Sequence, residues 1–338
     1  MPFEKFATYH EIVTQTQAWT QALNLTRTTY LPKAADYDQV IFTGCGSTYY
    51  LSLAAAALYQ QLTGRVARAV PGGELLLNPN TILTNHKKLL IAFSRSGTTT
   101  ETVKAVEQFK ASKQGDVFVI SNYQETLSHL ADASIIIPEG QEESVAQTRS
   151  FASMYVAATG FAARMAGRND LLESMSSLPK IGERIINEFE TTAHQIGENL
   201  AFDRFYFLGS GILYGLACEL NLKMKEMSLT HSEPFHFLEF RHGPMSMVNE
   251  KAVVVGLVSE SNFKHETAVL NEMQALGAKT VALGNTGVDI SFNAAVPESV
   301  RGVLYLPVLQ LMAFYRSLAK GLNPDRPTNL VAVIKLDL

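Results

Sequence analysis

Short apolar runs alternate with longer amphipathic stretches along most of this chain. Val40-Ile41-Phe42-Thr43 is the first run and stops at Gly44; Ser47 then opens an Ala- and Leu-rich stretch to about Leu62 that reads as a helix. Ala67–Val70, Leu89–Phe93, Val117–Ile120 and Ser134–Ile137 repeat the strand pattern, with a helix from Thr100 to about Ala111 and another from Arg149 to Ala166. Residues 1–35 read as helical, with Ile12, Trp19 and Leu23 on an apolar stripe, and are expected to form a cover. Residues 170–200 are polar and helical, with no strand signal.

The pattern then restarts. Phe205–Leu208, Val253–Val258 and Thr280–Leu283 read as strands; Leu213–Ser228, Lys264–Leu276 and Leu304–Lys320 read as helices. Phe42-Thr43-Gly44-Cys45-Gly46-Ser47 parallels Phe207-Leu208-Gly209-Ser210-Gly211-Ile212, which marks an internal duplication. The predicted fold is α/β: two doubly wound parallel-sheet subdomains flanked by helices. The expected organisation is an N-terminal helical segment (1–35), a first subdomain (36–166), a helical connection (167–200), a second subdomain (201–320) and a C-terminal tail (321–338).

Composition narrows the setting. Of 338 residues, 46% are hydrophobic and 18% charged, enough apolar material for real cores and against disorder. A net charge of −4 without a long basic block predicts no nucleic-acid partner. Cys45 and Cys218 lie far apart, with neither disulfide-framework nor metal-type spacing, which suits a reducing cytoplasm; no metal and no cofactor are expected. The polar start, Met1–Thr20, lacks the apolar core of a signal peptide. Val303–Leu318, the longest apolar stretch, is punctuated by Pro307, Gln310, Arg316 and Ser317, so no membrane partner is expected.

In open parallel sheets, ligands bind beyond the carboxyl ends of the strands. Two loops of the first half lie there: Gly44-Cys45-Gly46-Ser47-Thr48 and Ser94-Arg95-Ser96-Gly97-Thr98-Thr99. Each opens a helix, where free N–H groups, the helix dipole and clustered hydroxyls favour an anion. Ser and Thr are also common helix caps, so either loop alone is a weaker signal than the pair. A third glycine and an acidic ribose partner are lacking, so a phosphate ester fits better than a dinucleotide. Cys45 reads as a tight-turn residue. In the second half, Glu219, Lys223 and Glu226 share one helix face. A solvated ion-pair stripe is the ordinary explanation, but Leu216, Leu220, Leu222, Met224 and Met227 make this helix largely apolar, and a confined triplet suits acid–base work. His242, before Gly243-Pro244, is a further candidate.

These stretches, together with Glu143–Phe151, Glu239–Pro244 and Gly321–Pro327, occur in one order over nearly the whole chain. The sequence resembles the sugar isomerase (SIS) superfamily, and within it the isomerase half of the glucosamine-6-phosphate synthases and the stand-alone glucosamine-6-phosphate deaminases. The resemblance implies two SIS subdomains and a sugar phosphate held by Gly46, Ser47, Thr48, Ser94, Ser96 and Thr99, with Val145 and Gln147 lining the site. Arg95 stands where the synthases have Gln and would add charge there. Glu226 matches the carboxylate that moves a proton between C1 and C2, His242 the ring-opening histidine contributed across a homodimer interface, and Glu219 and Lys223 residues of the same site. The synthases' glutaminase domain has no counterpart here, so ammonia from glutamine is not expected. Ala332 occupies the position of the family's C-terminal lysine, with Lys335 the nearest lysine.

The expected activity is therefore that of a phosphosugar isomerase/deaminase. It would convert an amino-sugar phosphate such as glucosamine 6-phosphate to a ketose phosphate and ammonia. A plain phosphosugar isomerase and a fructosamine-phosphate deglycase use the same shuttle and stay open. A non-catalytic phosphosugar sensor is the competing class; it would need neither the Glu219/Lys223/Glu226 set nor His242.

Overall fold

The computed structural model describes residues 3–336. In chain order its elements are α1 (Ala7–Val13), α2 (Gln15–Thr28), β1 (Gln39–Gly44), α3 (Ser47–Thr63), β2 (Ala67–Pro71), α4 (Gly72–Leu77), β3 (Lys88–Ser94) and α5 (Thr100–Ala111). Next come β4 (Gly115–Ser121), α6 (Thr126–Leu130), β5 (Ala133–Ile136), α7 (Arg149–Met165), α8 (Asn169–Ser174) and α9 (Leu178–Glu198). The second half contributes β6 (Arg204–Leu208), α10 (Ile212–Ser228), β7 (His231–Phe235), β8 (Ala252–Leu257), α11 (Phe263–Ala275), β9 (Lys279–Gly284), β10 (Ile290–Ser291) and α12 (Leu306–Ala319).

They form two compact units. One comprises residues 14–142, 147–179 and 331–336; the other comprises 3–13, 143–146 and 180–330. The N-terminal helical stretch is divided, α1 going to the second unit and α2 to the first.

In the first unit the strands run parallel in the order β2-β1-β3-β4-β5. Strand side chains alternate between faces. Ile41, Leu90, Ala92, Val117 and Val119 therefore meet Val103, Val106 and Phe109 of α5. Phe42, Phe93 and Phe118 point the other way: Phe42 meets Tyr59 of α3, and Phe118 meets Phe161 of α7. Burial on both faces is why these strands read as unbroken apolar runs.

The second unit repeats the plan. Its parallel order, β7-β6-β8-β9-β10, matches the first sheet strand for strand. Tyr206, Leu208 and Val254 pack toward Val269, Leu270 and Met273 of α11. Two strands lie outside the apolar pattern of the sequence. The two-residue β10 is too short to leave a signal. β7 carries exposed His231 and Glu233 and contains Pro234, a residue tolerated because β7 is the sheet edge. By length and composition Gly302–Ala319 could cross a membrane, but 89% of it is buried inside the fold, and α12 packs on α10 and α1.

Candidate active site

The chain leaves β1 toward β2 on one side and returns to β3 on the other. The loops after β1 and β3 therefore diverge at the switch point, where open α/β sheets take ligands. These are the two hydroxyl-rich loops of the sequence. Gly44 is required by close approach: a Cβ there would lie 2.5 Å from the Thr48 hydroxyl. Gly46 adopts φ +58°, ψ −124°, a turn that favours glycine, and α3 starts immediately after it.

Several hydroxyls shape these loops directly. Thr48 is buried; its hydroxyl accepts the Cys45 N–H at 2.9 Å and lies 2.9 Å from the Cys45 carbonyl. Ser94 Oγ accepts the Gly97 N–H at 3.0 Å, and Ser96 Oγ accepts the Thr98 N–H at 3.2 Å. Ser47 is buried at the first position of α3, while Ser96 and Thr99 are half-buried, Thr99 preceding α5. Cys45 lies 3.4 Å from the Thr102 hydroxyl, and burial pushes its thiol up, which leaves it a poor nucleophile.

Arg95 is tied to the tail and to Glu142 within the first unit. Its guanidinium is buried, donates to the Ala332 carbonyl at 2.7 Å and lies 3.8 Å from Glu142. Glu142 in turn caps α7, accepting the N–H groups of Thr148 and Ser150 at 3.1 Å and the Ser150 hydroxyl. Gln147 lies just before that cap, with its buried Oε1 unpartnered in the structure. The tail also crosses the first turn of α5. The Thr100 N–H donates to the Ile334 carbonyl at 3.4 Å, and the Leu336 N–H to the Thr100 hydroxyl at 3.1 Å. The sequence carried no sign of the Arg95–Glu142 pair or of this strap, because both join positions distant along the chain.

The second unit holds the ionisable set. The apolar faces of α10 bury Glu219 and Lys223 to 0% side-chain exposure, whereas Glu226 keeps 19%. Lys223 Nζ stands 3.3 Å from Glu219 and 2.5 Å from Glu226, so one ammonium joins two carboxylates in a single network. Burial of such a network is tolerated only when the charges are mutually paired. Glu226, at the open end, is the member in reach of an exchanging proton. His242 is exposed at the end of the turn Glu239–Arg241. That turn is anchored by buried Phe240 and by the fork of Arg241 on Glu272, at 2.7 and 2.6 Å. Val145, also in this unit, is half-buried and donates its N–H to the Asp325 carbonyl at 3.0 Å.

The loop after β8 is the counterpart of the Ser94–Thr99 loop, but its N–H groups are taken by carboxylates. Glu266 accepts the Ser259 N–H at 2.6 Å and the Ser259 hydroxyl at 3.0 Å, and Glu298 accepts the Glu260 N–H at 2.5 Å. Burial raises the Glu266 carboxyl above its ordinary range. Among the described residues, no cluster of three or more His, Cys, Asp or Glu is arranged to hold a metal ion.

The family profile described as SIS domain matches residues 34–164 and again 202–315, once over each sheet. The glutamine–fructose-6-phosphate aminotransferase (isomerizing) of Pyrococcus horikoshii is 29% identical over 327 residues, covering 90% of this chain and 54% of that protein. The chain thus spans about half the length of that relative. Among solved structures, a glucosamine-6-phosphate deaminase from Thermotoga maritima superposes with a TM-score of 0.84 at 26% identity, covering 98% of this chain and 100% of that one. The tagatose-6-phosphate ketose/aldose isomerase of Escherichia coli shares the fold at a TM-score of 0.84 and 23% identity, covering 98% and 97% of the two chains.

Proposed function

The chain belongs to the SIS domain family, and from that premise we propose that it is a phosphosugar isomerase acting on amino-sugar phosphates, releasing a ketose phosphate and ammonia. The observation that carries this reading is the buried Glu219–Lys223–Glu226 network with Glu226 at its open end. A phosphate sensor has no use for a buried ammonium shared by two carboxylates.

The loops after β1 and β3 anchor the phosphate, and their hydroxyls and glycines do no bond-breaking. His242 assists ring opening, which exposes the C1 aldehyde. Glu226 removes the proton from C2, and the C2–H electron pair forms the C1=C2 bond of an enolamine while the C1=O π pair moves to its oxygen, which takes a proton from water. The same C2 proton returns to C1, the C1=C2 pair forming the new C–H bond as the nitrogen lone pair forms C2=N and the nitrogen gives a proton back to water, leaving a C2 imine. Water adds to C2, the C–N bond breaks, and ammonia leaves behind the ketose phosphate. Lys223 fixes the Glu226 carboxylate through the 2.5 Å contact. His242, exposed and rigidly based, serves the site of a second copy in a homodimer.

A plain aldose–ketose isomerase is the second reading, favoured by the equally good superposition on the Escherichia coli tagatose-6-phosphate isomerase. It uses the same shuttle without loss of nitrogen. Incubation of the purified protein with glucosamine 6-phosphate, with assay of ammonia and fructose 6-phosphate, separates the two. Ketose formation from a hexose phosphate, without ammonia from any hexosamine phosphate, would establish the second reading; neither product from any of them would refute both.

A further inference from the structure

We propose that Glu11 and Asp325 are positioning residues for the active site, holding the Val145 segment in place, so that helix α1 is part of the working machinery and not a cover. The inference rests on the functional reading above together with the family resemblance, which implies that Val145 lines the substrate site.

Residues 143–146 lie between β5 and α7 and belong to no helix or strand. Their chain neighbours on both sides pack with the first unit, whereas these residues pack with the unit that carries Glu226. A segment outside regular structure has no ladder to absorb its N–H groups, so each buried one needs an acceptor from elsewhere. Here three successive N–H groups have one. Glu11, 3% exposed on α1, accepts the N–H of Glu143 at 2.5 Å and of Ser144 at 3.2 Å on Oε1, and the Ser144 hydroxyl on Oε2. The next N–H, that of Val145, donates to the Asp325 carbonyl at 3.0 Å.

Asp325 is itself fixed to the other end of the same helix. Its carboxylate accepts the N–H groups of Ala7 and Thr8 at 3.1 and 2.8 Å and the Thr8 hydroxyl at 2.6 Å. α1 therefore acts as a bracket: its first turn holds Asp325, its last turn holds Glu143 and Ser144, and Val145 is fixed from both sides. A carboxylate accepting N–H groups makes stronger bonds than a neutral acceptor. Placing a buried carboxylate in a cover helix would be unfavourable without such partners. The bracket gives Glu11 a function on the segment it holds.

Three variants test this: Glu11→Ala removes every acceptor, Glu11→Gln keeps one acceptor oxygen for the N–H pair, and Asp325→Asn weakens the other end. Steady-state kinetics with glucosamine 6-phosphate, thermal unfolding, and hydrogen exchange at Ser144 and Val145 are measured on the full chain. Misplacement of a substrate-lining segment lowers kcat/KM by about a hundredfold in Glu11→Ala. Glu11→Gln restores most of that loss, and exchange at Ser144 and Val145 is faster in Glu11→Ala while that of α10 is unchanged. If Glu11→Ala does not fold, Asp325→Asn carries the test, with an intermediate loss in kcat/KM. A folded Glu11→Ala, or in its place a folded Asp325→Asn, with kcat/KM within about twofold of wild type, or with exchange at Ser144 and Val145 equal to wild type, would overturn the proposal; the twofold line is small beside the misplacement effect. A wild-type protein without turnover on any hexose or hexosamine phosphate would overturn the functional reading instead, and the exchange rates would still decide whether the bracket exists.

Discussion

Replacing Lys223 by Met removes the ammonium that joins Glu219 and Glu226 while keeping most of the side-chain volume. Glu226 reaches solvent and stays hydrated, but Glu219 has no exposed side-chain surface and loses the ammonium 3.3 Å away. Removing one member of a buried ion pair destabilises a fold by about 3–5 kcal/mol. Protonation sets a ceiling on that loss. Neutralising a carboxylate of ordinary pKa, about 4.3, takes about 3.7 kcal/mol at pH 7 and about 1 kcal/mol at pH 5. In the variant the folded Glu219 carboxyl is raised above its unfolded value, so the folded state binds an extra proton across this window and stability falls as pH rises. Lys223→Met is therefore expected to lose about 3–4 kcal/mol at pH 7 and about 1 kcal/mol at pH 5 relative to wild type. Urea unfolding at the two pH values measures both gaps. The double variant Glu219→Gln/Lys223→Met should recover most of the loss at pH 7. A Lys223→Met gap independent of pH, or under about 1 kcal/mol at pH 7, would mean that water reaches the network, because exposed pairs are worth no more than that.

Other consequences are equally direct. Glu226→Gln keeps the shape of the proton carrier without its basicity; sugar-phosphate affinity should stay within a few-fold while turnover falls by about 10²–10⁴, and retained turnover would remove Glu226 from the role. Mixing Glu226→Gln chains with His242→Ala chains should restore about a quarter of wild-type activity if His242 serves the other copy of a two-fold dimer, and none if it acts within its own chain. Arg95→Ala releases the Ala332 carbonyl, so trypsin should cut after Lys335 about tenfold faster, in line with the loss of a charge-assisted hydrogen bond; an unchanged cutting rate would show that Arg95 does not hold the tail.

Most of the sheet architecture was readable in advance, because strands buried on both faces must be apolar throughout and stand out as short unbroken runs. The glycine loops were readable for a similar reason: Gly44 and Gly46 answer to local sterics that few other residues satisfy. β7 was not, since an edge strand with one face in solvent tolerates His231, Glu233 and Pro234. Arg95 was placed correctly on its loop, but where its side chain goes depends on a tail 237 positions later. Glu11 and Asp325 were invisible as partners of the Val145 segment for the same reason; Thr8 and Asp325 meet across 317 positions, and no local pattern encodes such a contact. Pairing of Lys223 with both carboxylates followed from helical spacing alone, whereas the depth of its burial required the packing of α10 against α12.

The two glycine turns have a meaning that the pair reveals and neither shows singly. Gly211 has φ +56° and ψ −124°, nearly the values of Gly46, and in both copies a helix begins at the next residue. Yet the neighbouring loops differ: hydroxyls of the loop itself accept the N–H groups of Gly97 and Thr98 in one copy, whereas Glu266 and Glu298 accept those of Ser259 and Glu260 in the other. The molecule thus contains its own control. The turn is the same where the neighbouring loop is not, so in this chain Gly-X-Gly serves to join a strand to a helix. The second loop was free to diverge without disturbing the first, and in the proposed reading one duplicated scaffold holds an anion cradle in one half and a proton carrier in the other.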